Sequence, residues 1–230
     1  MDGSNLAKKR IAQYTLAVLE QKYQNNIKTI GLGSGTTVRY FIEALSGSKL
    51  AECDLVSSST DTTMLCNTLG LKVIDILSAD THIDVYVDGA DAVFADQKAC
   101  IKGRGGAMLR EKLLAYAAKE FYVLVEQSKL DKKHAIPIEV VPFALNFVFE
   151  KLQETKLNPV LRIADQKLGP LVTDNNNFII DLHPNEHYYE HLLELHESIM
   201  KMPGIIDTGI FHRDMMVITI INEQEKIIEI

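Results

Sequence analysis

Positive charge is scarce in this chain. Lysine and arginine number 24 against 31 aspartates and glutamates, a formal charge of −7 over 230 residues. That balance argues against a general nucleic-acid surface. No apolar run is long enough to span a bilayer, so no membrane segment is expected. The first ten residues, Met1 to Arg10, lack the apolar centre of a signal peptide. Cysteine is rarer still. Cys53, Cys66 and Cys100 are odd in number and show no ligand-like spacing, which fits small buried side chains in a reducing compartment. A cytoplasmic protein is the expectation. With this charge, an anionic ligand needs locally placed cations and backbone donors.

Glycine is also sparse, but it is unevenly placed. Six of the thirteen fall in two runs, Gly31-Leu32-Gly33-Ser34-Gly35-Thr36-Thr37 and Lys102-Gly103-Arg104-Gly105-Gly106-Ala107. Each run follows an apolar stretch. Between them, Val85-Tyr86-Val87-Asp88-Gly89-Ala90-Asp91 reads as a strand that ends in two carboxylates. Three strand ends bearing hydroxyls, acids and a lysine describe a pocket at the carboxyl edge of a parallel sheet. Open α/β folds bind their ligands there.

The length allows one large domain or two small ones. Ile11, Tyr14, Thr15, Val18 and Leu19 lie at helical spacing within a helix over 5–23. Strands are expected at 27–32, 53–57, 72–76, 121–125 and before Asp88 and Lys102. Helices are expected at 36–46, 62–69 and 107–119. This alternation indicates an α/β fold with a parallel, helix-covered sheet. The pattern changes near Pro137. A strand at 178–182, a long helix over 188–200 and short strands near 205–211 and 215–221 follow. The division read from this is a sheet domain of 1–135 plus 208–230, with a smaller α+β unit at 136–207 inserted into it.

Each motif has a chemical and a plain reading. The first glycine run offers backbone N–H groups and the Ser34, Thr36 and Thr37 hydroxyls at a helix start, an arrangement suited to phosphate. A tight strand-to-helix turn capped by Ser or Thr fits it equally well. A dinucleotide fingerprint fits less well, because Thr36 stands where the third glycine belongs. Asp88 and Asp91 close an apolar strand, and an unpaired buried carboxylate is costly; a solvated Asp-Gly turn is one alternative, and a magnesium site is another, for which no companion ligand set is evident. Lys102 sets a cation beside a loop that a ligand can approach closely. Glu111 lies near the start of the next helix, where the macrodipole favours a carboxylate, as for many ordinary first-turn acids. His187-Tyr188-Tyr189-Glu190-His191 spells the inverted zinc-peptidase pattern H-x-x-E-H. Without a third ligand nearby, a solvated helix face is the better reading.

Taken in order, the two glycine runs, the strand ending at Asp91 and Met108-Leu109-Arg110-Glu111-Lys112 resemble the signature blocks of type A ribose-5-phosphate isomerase. The resemblance continues in Ser57-Ser58-Ser59, Gln127-Ser128-Lys129, Glu139-Val140-Val141-Pro142, Val172-Thr173-Asp174-Asn175 and Pro203-Gly204-Ile205. It covers nearly the whole chain. Two positions depart from the family pattern: Arg104 replaces a glycine and Ala92 an acid.

The resemblance implies a Rossmann-like catalytic domain with a ferredoxin-like insert, acting on D-ribose 5-phosphate. It implies Glu111 as the base, with Asp88, Asp91 and Lys102 around the reacting carbons. Substrate contacts are implied at Ser34, Gly35, Thr36, Thr37, Gly89, Ala90, Gly103, Arg104, Gly105, Lys129 and Lys8. No cofactor is expected, no metal because no convincing ligand cluster is evident, no nucleic acid or membrane partner given the charge and hydropathy, and a homodimer or homotetramer. The chemistry is consistent with these residues: one carboxylate can carry a proton from C2 to C1 through a cis-enediolate. General-base catalysis of this kind supplies roughly 10²–10⁴-fold. A fixed ammonium and loop amides suit the enediolate oxygens. A sugar-phosphate sensor and a zinc hydrolase are the competing classes.

Overall fold

The computed structural model describes residues 3–24, 26–76, 82–166, 168–214, 216–222, 224 and 226–230. The first half of the chain forms α1 (Gly3–Tyr23), β1 (Thr29–Leu32), α2 (Thr36–Leu45), β2 (Asp54–Ser57), α3 (Thr60–Thr68), β3 (Ile83–Gly89), β4 (Ala92–Phe94), β5 (Ala99–Ile101) and α4 (Met108–Ala117). Then come β6 (Ala118–Glu126), β7 (Ile136–Val140), α5 (Leu145–Gln153), β8 (Pro159–Leu161), β9 (Phe178–Leu182) and α6 (Leu192–Met200). The chain closes with β10 (Ile205–Thr208), β11 (Ile210–His212), β12 (Met216–Ile221) and β13 (Ile227–Glu229). None of the described helices is long and apolar enough to cross a membrane.

Two compact units result. The first holds Met1–Ala90, Arg110–Leu130 and Arg213–Ile230; the second holds Asp91–Leu109 and Asp131–His212.

The first unit is built on a six-stranded sheet in the order β13-β12-β6-β3-β1-β2, parallel except for β13. β3 is buried along nearly its whole length, the pattern of a strand covered on both faces. In α2, Val38, Phe41, Ile42 and Leu45 repeat at helical spacing and are buried. They join Ile11 and Leu19 of α1 and Leu32 and Val85 of the sheet in one core.

The second unit runs β7-α5-β8-β9-α6-β10 and pairs as β10-β7-β9-β8, antiparallel throughout. That is the split β-α-β-β-α-β, ferredoxin-like arrangement expected of the smaller unit. Its core joins Ile138, Val140, Ile180 and Leu182 to Val148, Leu152, Leu195 and Ile199.

Four sequence expectations change. Residues 91–109 belong to the second unit, because β5 bonds antiparallel to β4 and β11 and not to the parallel sheet. The strand before Lys102 is therefore not part of the parallel carboxyl edge. Residues 131–135 and 208–212 also belong to the second unit. The strand expected at 72–76 is reduced to a bridge between Val73 and Leu55. The helix expected over 188–200 is a 3-10 turn at Glu186–Glu190 followed by α6, because His191 at φ −136°, ψ 50° leaves helical geometry. In the strand expected at 215–221, Met215 lies outside the described residues.

Candidate active site

In the first unit, β6, β3 and β1 are parallel neighbours, so their carboxyl ends share one edge of the sheet. From β1 the chain crosses to β2 on one side and then to β3 on the other. The β1/β3 boundary is thus a switch point, where α/β sheets open a crevice. Asp88, at the end of β3, is fully buried. Its Oδ1 accepts from the Gly89 amide at 2.7 Å and the Ser34 amide at 3.3 Å, and its Oδ2 from the Tyr86 hydroxyl at 2.5 Å. Burial, and then the charge of Asp88, push the Tyr86 hydroxyl well above its ordinary range, which keeps it a donor. Gly33 is required here, since a Cβ on it would fall 1.9 Å from Asp88 Cγ.

Glu111 sits in the first turn of α4 and is 3% exposed. The Ser34 hydroxyl donates to its Oε1 at 2.5 Å. Ser34 therefore joins both carboxylates, Asp88 through its amide and Glu111 through its hydroxyl. The sequence assigns that hydroxyl to a ligand or a cap; in the structure it is turned onto Glu111. Gly35 is the N-cap of α2 at φ 90°, with no side-chain cap, so the first amides of the ten-residue helix have no capping side chain. Thr36 is exposed and Thr37 half-buried beside Gly89, while Ala90 is half-buried where the first unit ends. Lys129 lies in the 3-10 turn Gln127–Lys129 that follows β6. The Lys8 ammonium lies 3.7 Å from Glu126, the last residue of β6.

The remaining predicted residues stand in the second unit. Lys102 follows β5 and is 4% exposed, its ammonium 5.7 Å from the centre of the Phe211 ring. Its amide donates to the Gly209 carbonyl at 2.9 Å. Gly103 turns the chain at φ 101°, and Arg104 and Gly105 are exposed. Asp91 receives the Arg104 amide at 3.2 Å, which ties the loop to the residue before β4. Ala92 is fully buried in β4.

Three contributors escape the sequence reading. Tyr86 stands two residues before Asp88, on the same face of the strand, so strand periodicity could have shown it. Arg162 and Asp181 had no such local signal. Arg162 lies 59 residues from Gly103, whose carbonyl accepts from its Nη1 at 2.9 Å.

His187, Glu190 and His191 do come together, with ligand atoms within 4.8 Å of one another, and all three are exposed. The 3-10 turn brings Glu190 in as the third donor. Such a trio has no enclosing wall of the kind a hydrolytic metal centre uses, and it includes none of the residues assigned to the isomerase chemistry.

Known proteins place the chain. The family model described as ribose 5-phosphate isomerase A (phosphoriboisomerase A) matches residues 54–226. A curated protein of Borrelia hermsii named ribose-5-phosphate isomerase A is 36% identical, covering 95% of this chain and 97% of its own. The solved ribose 5-phosphate isomerase A of Methanocaldococcus jannaschii superposes with a TM-score of 0.87 at 31% identity over 97% of both chains. A second solved D-ribose-5-phosphate isomerase, in complex with phospho-erythronic acid, gives 0.83 at 30% identity over 97% of both chains. With a family match across most of its length and relatives aligned almost end to end, this chain belongs to the ribose 5-phosphate isomerase A family and is an enzyme of that class.

Proposed function

We propose that the chain interconverts D-ribose 5-phosphate and D-ribulose 5-phosphate through a cis-enediolate, with Glu111 as general base, as a step of the non-oxidative pentose phosphate pathway. The observation that carries this reading is the Ser34 bridge. It holds the buried Glu111 carboxylate at 2.5 Å from its hydroxyl while its amide contacts the buried Asp88. A carboxylate fixed this way has one orientation, which a base serving two adjacent carbons needs.

The Glu111 carboxylate takes the C2 proton of the open-chain aldose, and the electron pair moves toward the C1 carbonyl oxygen. The Glu111 carboxyl group, exchanging its proton with solvent, returns a proton to C1 while the O2 hydroxyl proton passes to O1 and the carbonyl forms at C2. The Lys102 ammonium and the amides of the 103–105 loop stabilise the enediolate oxygens. Asp88 or Asp91 moves the proton in ring opening. Phosphate lies on the uncapped start of α2, at Gly35 to Thr37, Ser34 being committed to the two carboxylates, with Lys129 and Lys8 as cations. The bound phospho-erythronic acid of the solved relative supports a sugar-phosphate ligand.

The test is conversion of ribose 5-phosphate by purified protein in heavy water, followed by NMR with and without chelator. Ribulose 5-phosphate carrying solvent deuterium at C1 is the expected product, at a rate that chelation leaves unchanged. Absence of the ketose refutes the activity. Complete retention of the C2 hydrogen, or a chelator-sensitive rate restored by added metal, refutes the proton-transfer mechanism.

A further inference from the structure

The glycine loop after Lys102 is held by one side chain from a distant strand pair. Arg162 directly follows β8, and its backbone is fixed on both sides: its amide donates to the Ile179 carbonyl at 2.9 Å and its carbonyl accepts from the Leu171 amide at 2.9 Å. Its guanidinium meets Asp181 of β9 as a fork, with Nε on Oδ2 at 2.7 Å and Nη2 on Oδ1. Both side chains are largely shielded, at 14% and 18% exposed. A planar fork sets the direction of the third nitrogen. Nη1 donates to two consecutive carbonyls, Gly103 O at 2.9 Å and Arg104 O at 3.0 Å.

Those two bonds determine more than loop position. A trans peptide sets its C=O and N–H in opposite directions. Turning the Gly103 and Arg104 carbonyls onto Arg162 therefore turns the Arg104 and Gly105 N–H groups to the other face of the loop. The Arg104 N–H meets Asp91 there. The Gly105 N–H shares its peptide with a carbonyl bonded to a cation, which polarises it into a stronger donor. The loop has little other freedom: the Gly106 amide donates back to Gly103 O at 3.1 Å. A Cβ on Gly103 would meet Met108 Cβ at 2.8 Å.

We infer that Arg162, aimed by Asp181, is a positioning residue for the isomerase reaction: it orients the peptides of the 103–105 loop so that the Gly105 N–H and the adjoining Lys102 serve the enediolate oxygens. This rests on the function proposed above, in which that loop contacts the reacting oxygens.

The test compares wild type with Arg162→Lys, which keeps the charge but loses the fork. The chain has no tryptophan, so folding is checked by the urea midpoint in far-UV circular dichroism. A misplaced donor set of this kind lowers kcat by roughly 10–100-fold. KM for ribose 5-phosphate changes little. Inhibition by phospho-erythronate, whose carboxylate offers a comparable pair of oxygens, weakens by about the same factor as kcat. Arg162→Met combined with Asp181→Leu removes both charges without leaving either one buried alone, and it gives the same result if the lysine variant is too unstable to assay. A folded variant with wild-type kcat overturns the inference. So does a fall in kcat with phospho-erythronate affinity unchanged, the pattern of a merely structural role. If the wild type itself fails to isomerise ribose 5-phosphate, the functional reading falls. Phospho-erythronate binding by wild type and variant, measured by calorimetry, still decides the positioning role: weaker binding by the variant supports it, and equal binding overturns it.

Discussion

Glu111→Gln removes the proposed base while leaving almost everything around it in place. The side chain is 3% exposed, and glutamine matches its volume. The amide oxygen of glutamine still accepts the Ser34 hydroxyl that now sits 2.5 Å from Oε1. What changes is a hydrogen bond to a charged acceptor for one to a neutral acceptor, a difference of about 1 kcal/mol. The buried charge also disappears, which acts in the opposite direction. Unfolding free energy therefore stays within about 1 kcal/mol of wild type. Catalysis should respond on a different scale. A lost general base costs roughly 10²–10⁴-fold, or about 2.7–5.4 kcal/mol of transition-state stabilisation. The loss falls on kcat with KM little changed, because the group acts on the proton and not on the phosphate. Solvent deuterium should cease to enter C1 of the product. Ser34→Ala serves as the comparison: it keeps the base but frees its orientation. The loss of one hydrogen bond to a charged group limits its effect to roughly 10–100-fold. Near-wild-type kcat in Glu111→Gln would refute the assignment and move the base to Asp88 or Asp91.

Gly33→Ala places a Cβ 1.9 Å from Asp88 Cγ, so the carboxylate must leave its three donors. We expect a loss of stability of about 1–3 kcal/mol together with loss of turnover; a variant as active and as stable as wild type would show that Asp88 has no need of this seat. Lys129→Ala should raise KM and reduce its sensitivity to salt, since a cation facing phosphate is removed, while Thr37→Ala weakens binding only in part because backbone amides carry most of an anion site at a helix start. Unchanged KM in both variants would place the phosphate elsewhere. Asp84 provides a test of stability against pH. Its burial alone would raise its pKa, but the Lys119 ammonium at 2.6 Å and the Lys28 and Thr29 amides outweigh that and hold the carboxyl below its usual range. A depressed native pKa contributes stability that is present above the unfolded value of about 3.9 and is lost as pH falls through the native pKa. Asp84→Asn should thus lower the urea midpoint at pH 7 and lose less on acidification than wild type; equal acid losses would refute the pairing.

Local chemistry made much of this protein legible before any fold was known. Apolar spacing in Val38, Phe41, Ile42 and Leu45, the glycine turn before α2, and the near-continuous apolar run of β3 ending in Asp88 each follow from sterics and amphipathic periodicity within a few residues. In the second unit only β9, the helical stretch ending at Met200 and the strand after it are legible this way, while α5 and β8 carry no such reading and the βαββαβ order is an expectation from the family resemblance. Partner choice is different. β5 looks like any other apolar strand, yet its hydrogen bonds go to β4 and β11, and that choice moves Lys102 and its loop into the second unit. Ser34 reads as a phosphate ligand or a cap until α4 brings Glu111, 77 residues away, to its hydroxyl. Arg162 carries no signal at all until β8 and β9 pair and aim it at carbonyls 58 and 59 residues distant. A strand or a helix is selected by its own neighbours in sequence. Which donor meets which acceptor is selected by the demand that every buried polar group find a partner, and that demand is met only across the folded chain.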